Sequence, residues 1–125
     1  MRCMKGESMS QKQAVLIVDD EALIASALSW YLSDKGYDVK AVTSPVTALS
    51  MMDNERFDIV ITDVRMVPVS GVEFVDHLRR SGFNGKIIMV SGFFGGIEKE
   101  LRELRVDAFL EKNFEYSSLL KVIRA

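Results

Sequence analysis

The stretch Phe57-Asp58-Ile59-Val60-Ile61-Thr62-Asp63 reads as a buried β-strand that ends on a carboxylate. Three other apolar runs end the same way, on a polar or charged residue. Val15-Leu16-Ile17-Val18 ends on Asp19 and Asp20, Ile87-Ile88-Met89-Val90 ends on Ser91, and Ala108-Phe109-Leu110 leads through Glu111 to Lys112. Short, continuous, β-branched runs are the pattern of strands covered on both faces. Laid parallel in one sheet, these strands bring their C-terminal ends to one edge. Asp19, Asp20, Asp63, a hydroxyl and an ammonium then meet in one cleft.

The segments between the strands read as helices. Leu23, Ile24, Ala27, Leu28, Tyr31 and Leu32 recur at helical spacing, which predicts an amphipathic helix over 21–35. Asp20 and Glu21 open it, acid at the end where the helix dipole favours it, and Gly36 closes it in a left-handed cap. Residues 37–43 alternate apolar and polar, as a half-exposed edge strand does. Ser44-Pro45 is a helix start, a capping hydroxyl followed by proline at the first helical position, with Val46, Leu49 and Met52 turned inward. Pro68 and Gly71 break the chain after Asp63. A third helix over 72–80 carries Phe74, Val75 and Leu78 inward. Gly92, Gly95 and Gly96 form a mobile connection to a short helix over 97–104, and a last helix over 116–124 presents Leu119, Leu120 and Ile123.

Strand and helix thus alternate five times, which predicts an α/β fold: a doubly wound five-stranded parallel sheet with five helices. Three strongly apolar strands in the middle and two weaker ones outside suit the order 2-1-3-4-5. That order places a ligand crevice between the ends of strands 1 and 3, which carry Asp19, Asp20 and Asp63.

The bulk properties exclude several classes. The 125 residues suit one domain, expected over 14–125, with a loosely ordered N-terminal extension over 1–13. Sixteen basic against eighteen acidic residues give a net charge of -2, which supports neither a nucleic-acid surface nor a membrane surface. No apolar run approaches a membrane span, and residues 1–13 lack the apolar centre of a signal peptide. The single cysteine, Cys3, cannot form an internal disulfide. The reading is a cytoplasmic domain.

Clustered carboxylates repel and cannot all stay ionised unaided. A divalent cation resolves this. The available ligands are hard oxygens, with no thiol or imidazole in place, which favours Mg2+. Lys112 supplies a point charge and Ser91 a hydrogen-bond donor. A metal, an ammonium and a hydroxyl around one carboxylate suit a phosphoryl group, with Asp63 as the nucleophile that forms an acyl phosphate.

These residues carry a resemblance. Val18-Asp19-Asp20-Glu21, Thr62-Asp63-Val64-Arg65-Met66, Ser70-Gly71, Val90-Ser91-Gly92 and Phe109-Leu110-Glu111-Lys112 match, in order and spacing, the receiver domain of bacterial two-component response regulators. The resemblance implies a flavodoxin-like fold and phosphorylation of Asp63 by a sensor histidine kinase. It implies that Asp20, Asp63 and the backbone carbonyl of Arg65 bind Mg2+ directly, with Asp19 acting largely through water. Lys112 would bridge to the phosphoryl oxygens, Ser91 would move toward them, and Phe109 would turn inward behind. Helix 4, strand 5 and helix 5 would carry the readout to an output domain, a downstream protein or a second copy of the chain. The domain would be no enzyme beyond its own phosphoryl transfer and slow dephosphorylation.

Two positions depart from the pattern. Val67 stands where the family usually has proline, with Pro68 one later. Asn113 follows the lysine where proline, through a cis bond, is usual. A cis bond before a non-proline costs about 2.5–4 kcal/mol, so the Lys112–Asn113 bond is expected to be trans. In the family, the residues two past the phosphoaspartate and two past the hydroxyl residue flank the path of the attacking water. Here they are Arg65 and Phe93, neither a carboxamide nor a carboxylate, and the resemblance then implies a slowly self-hydrolysing phosphoaspartate. Two other functions compete. A pseudo-receiver would keep the fold as an interaction module without phosphorylation. An aspartate-nucleophile phosphohydrolase would carry a DxD pattern on strand 1, where Asp19-Asp20-Glu21 stands instead. His77, inside the third helix, reads as a surface residue.

Overall fold

The computed structural model describes residues 12–92 and 96–125. The expected extension over 1–13 falls almost wholly outside them, as do Phe93 and Gly95. Along the described chain the order is β1 (Ala14–Val18), α1 (Ala22–Asp34), β2 (Asp38–Val42), α2 (Pro45–Asn54), β3 (Ile59–Asp63), α3 (Gly71–Arg80), β4 (Lys86–Ser91), α4 (Glu98–Glu103), β5 (Ala108–Glu111) and α5 (Tyr116–Arg124). The sheet runs β2-β1-β3-β4-β5, and every neighbouring pair is parallel. This is the order read from the sequence. Among the described residues no helix is long and apolar enough to cross a membrane.

Side chains on a strand point alternately to the two faces, so a continuous apolar strand serves two cores. Val15 and Ile17 of β1, Ile59 and Ile61 of β3, and Ile88 and Val90 of β4 pack on one face against Ala25, Leu28 and Leu32 of α1 and Leu119 and Ile123 of α5. Leu16, Val18, Val60, Ile87 and Met89 pack on the other against Ala48 of α2, Phe74, Val75 and Leu78 of α3, and Leu101 of α4. Burial of each large aliphatic side chain contributes about 1.5–3 kcal/mol, and the central strands bury almost every one. That fixes the register of the three strands whose ends form the site.

Three inward assignments are corrected. Leu23 and Ala27 are exposed on α1, where Ala25 takes the buried position, and Val46 is exposed on α2, where Ala48 does. In both helices the apolar spacing is present, but the buried stripe falls on other positions: Ala25, Leu28 and Leu32 on α1, and Pro45 and Ala48 on α2. Trp30 also lies exposed, one turn beyond Ala27. The helix starts are mixed. Ser44 Oγ accepts from the backbone N–H groups of Val46 (3.2 Å) and Thr47 (3.4 Å), as expected of a cap. At α3 a capping box was not foreseen: Glu73 N donates to Ser70 Oγ at 3.1 Å, and Ser70 N donates to Glu73 Oε1 at 3.2 Å. Gly36 has φ +97°, the left-handed cap expected of it.

At the far end of the sheet, Arg79 ties four segments together. Its guanidinium donates to the carbonyls of Phe83, Gly85 and Arg105 and pairs with Asp107, whose Oδ2 also accepts from Ile87 N. These bonds hold the N-terminal ends of β4 and β5 to the end of α3.

Candidate functional site

The strand registers step across the C-terminal edge. Val18 pairs with Thr62, so Asp19 lies level with Asp63. Asp63 pairs with Val90, and Ser91 pairs with Glu111, one residue before Lys112. Backbone bonds continue the ladder past the strands: Asp19 N donates to Val42 O (3.1 Å), and Lys112 N donates to Ser91 O (2.8 Å). Apolar pairing alone thus brings Asp19, Asp63, Ser91 and Lys112 to one edge.

Asp19 is 2% exposed, Asp63 4% and Ser91 1%. Polar groups so deeply buried need partners. Asp63 Oδ1 accepts from Arg65 N at 3.3 Å, and Asp63 Oδ2 accepts from Lys112 Nζ at 3.1 Å. Asp19 Oδ1 accepts from Glu21 N at 2.9 Å, and its Oδ2 lies 3.6 Å from Lys112 Nζ. Lys112 also forms a close ion pair with Glu21. One ammonium is therefore shared by three carboxylates. The Lys112–Asn113 bond is not cis, as expected, and the lysine reaches Asp63 all the same. The cis bond among the described residues is Val67–Pro68.

Burial pushes the Asp19 carboxyl up to about 6; the Glu21 N–H opposes this, the neighbouring Asp63 charge adds to it and Lys112 offsets part of it. For Lys112, burial acts to lower the pKa. The hydrogen bonds to Glu21 and Asp63 and the charges of Asp63 and Asp19 outweigh it and hold the ammonium above its ordinary range.

Asp19, Asp20, Glu21 and Asp63 each offer a carboxylate oxygen, and these oxygens all lie within 4.8 Å of one another. A tight, all-oxygen, anionic donor set fits a hard divalent cation. Three of the four are the acids singled out in the sequence. Glu21 is an addition. It was read as part of the helix start, but it is the N-cap residue of α1 and its side chain makes no cap hydrogen bond. The first turn holds no acid at all.

Gly71 is the other residue whose role the sequence hid. A Cβ there would sit 2.0 Å from the Asp63 carbonyl oxygen and 2.7 Å from Val64 Cα. Gly71 N donates to Val64 O at 2.7 Å. The start of α3 presses directly on the backbone that carries Asp63, so the position requires glycine. Its reading as a mere breaker missed a close approach that only the packed fold reveals.

Phe109 is half-buried on β5 and packs against the core on the α4 side, with the Arg102 guanidinium 5.9 Å from its ring centroid. Arg65 is exposed beside Asp63. His77 is exposed on α3, as expected.

Comparison with known proteins agrees with this geometry. Residues 15–124 match the response regulator receiver domain. The chain is 31% identical to the alkaline phosphatase synthesis transcriptional regulatory protein PhoP of Bacillus subtilis, over 80% of this chain and 42% of that protein. It is 32% identical to the sensory transduction protein RegX3 of Mycobacterium tuberculosis, over 90% and 49%. The chain spans about half the length of the curated relatives it matches. Among solved structures it is similar to the chemotaxis response regulator CheY4 of Vibrio cholerae, with TM-score 0.84 and 30% identity, covering 91% of this chain and 98% of that one. It is also similar to the response regulator TrrA of Thermotoga maritima in complex with Mg(2+)-BeF, with TM-score 0.81 and 26% identity, covering 90% and 96%.

Proposed function

The chain belongs to the response regulator receiver domain family, and from that premise we propose that it accepts a phosphoryl group on Asp63 from a sensor histidine kinase. The observation that carries this reading is the buried Asp63 carboxylate with the Lys112 ammonium 3.1 Å from one oxygen. The other oxygen is held by Arg65 N. The carboxylate is thus oriented and its charge partly balanced before any donor arrives.

In the transfer, an Asp63 oxygen attacks the phosphorus of a phosphohistidine. The O–P bond forms as the P–N bond breaks, and the electron pair stays on the imidazole nitrogen. Lys112 turns from the carboxylate to the phosphoryl oxygens, and the Ser91 hydroxyl donates to them. Asp19, Asp20, Asp63 and the Arg65 carbonyl would hold Mg2+. The ion supplies positive charge against the phosphoryl oxygens. Phe109 then turns inward, and the surface formed by α4, β5 and α5 changes shape for the reader. The reader is an output domain, a downstream protein or a second copy of the chain, and the setting is the cytoplasm.

The test is incubation with acetyl phosphate and Mg2+, read by intact mass. Wild type gains one phosphoryl group, and Asp63→Asn gains none. No gain in wild type would favour the pseudo-receiver, and sustained turnover of an aryl phosphate would favour a hydrolase.

A further inference from the structure

Lys112 has a third partner that the proposed transfer does not use. Glu21 closes an ion pair with it from the exposed rim, while Asp63 and Asp19 approach it from the buried side. Three observations single Glu21 out. It is the N-cap residue of α1, yet its carboxylate accepts no helix N–H and is directed to Lys112 instead. Its own N–H donates to Asp19 Oδ1, so one residue links both the acid pair and the ammonium. It is more than half exposed at the side chain, so the core does not require it.

We propose that Glu21 is a positioning residue, the resting-state counter-ion of Lys112, which competes with the phosphoryl group for the ammonium. This rests on the phosphoacceptor reading. In the resting site the ammonium is divided among three carboxylates. A phosphoryl group on Asp63 offers it more negative charge at closer range. Lys112 moves onto the phosphoryl oxygens and Glu21 loses its partner. Glu21 therefore stabilises the resting state over the phosphorylated one and sets how readily the site fills. The occupant it disfavours is any tetrahedral anion seated on Asp63.

The experiment is titration of the chain with beryllofluoride at saturating Mg2+, read by amide chemical shifts, in a double-mutant cycle of Glu21→Gln and Lys112→Met. Glu21→Gln is expected to bind about threefold tighter than wild type, the scale of a partly exposed ion pair. In the Lys112→Met background the same substitution is expected to change nothing, because the partner is gone. Equal or weaker binding by Glu21→Gln would overturn the proposal. So would an equal gain in both backgrounds, which would mark a general charge effect with no role for Lys112. If wild type itself fails to bind beryllofluoride, the phosphoacceptor reading fails first, and the two failures are thereby distinguished.

Discussion

Each acid in the cluster is set by its own surroundings. Asp19 is almost wholly buried, and burial raises its carboxyl from 3.8 to about 6. The sign of the consequence follows from linkage. Between about pH 4 and 6 the folded chain holds a proton that the unfolded chain has released, so the group favours the fold at low pH and that contribution is lost as pH rises through about 6. In chelator, Asp19→Asn is therefore expected to raise the melting temperature at pH 7 and to have little effect near pH 4. Melting curves across that range check it. Added Mg2+ is expected to stabilise wild type more than Asp19→Asn, since the ion favours the ionised carboxylate. At this scale the sequence was informative about residue type and silent about partners. Asp63, Asp19, Asp20 and Lys112 were legible because each terminates an apolar run. Glu21 was not, because its capping position and its ion pair look alike in a linear chain.

Among the elements, α3 shows how a secondary structure can aim a functional group. The capping box at Ser70 and Glu73 fixes where the helix begins, and Gly71 lets that first turn rest on the backbone of Asp63 and Val64. Two substitutions separate these roles. Ser70→Ala is expected to cost about 1 kcal/mol of stability and to leave phosphorylation intact. Gly71→Ala is expected to cost about 1–3 kcal/mol through overpacking, and to slow phosphorylation as well, because its Cβ collides with the Asp63 carbonyl. Denaturant unfolding together with phosphorylation rates distinguishes them. The capping box was legible in the Ser70-Gly71-Val72-Glu73 spacing but stands beside the stronger Gly71 signal. The exposed Leu23 and Val46 were misplaced for a different reason. Apolar spacing reports a stripe and not its centre, and the buried positions include the small residues Ala25 and Ala48.

For the whole molecule, strand order was the most legible property. The central strands are apolar throughout, the outer ones alternate or are short, and the 2-1-3-4-5 order puts the three apolar strands in the middle and the two weaker ones at the edges. The same order brings four strand ends to one edge, so fold and candidate site follow from one pattern. The proposed path from that edge to the α4–β5–α5 surface was not legible, since a change of packing at Phe109 would be a difference between two states, which a linear pattern does not encode. The central claim is that Asp63 is the phosphoacceptor. Its most direct measurement is to treat the chain with acetyl phosphate and Mg2+, reduce with borohydride, and map the product by peptide mass spectrometry. Borohydride converts an aspartyl phosphate to homoserine. Homoserine at position 63 and at no other aspartate is the expected result. An unmodified Asp63, or homoserine at another position such as Asp20, would contradict it.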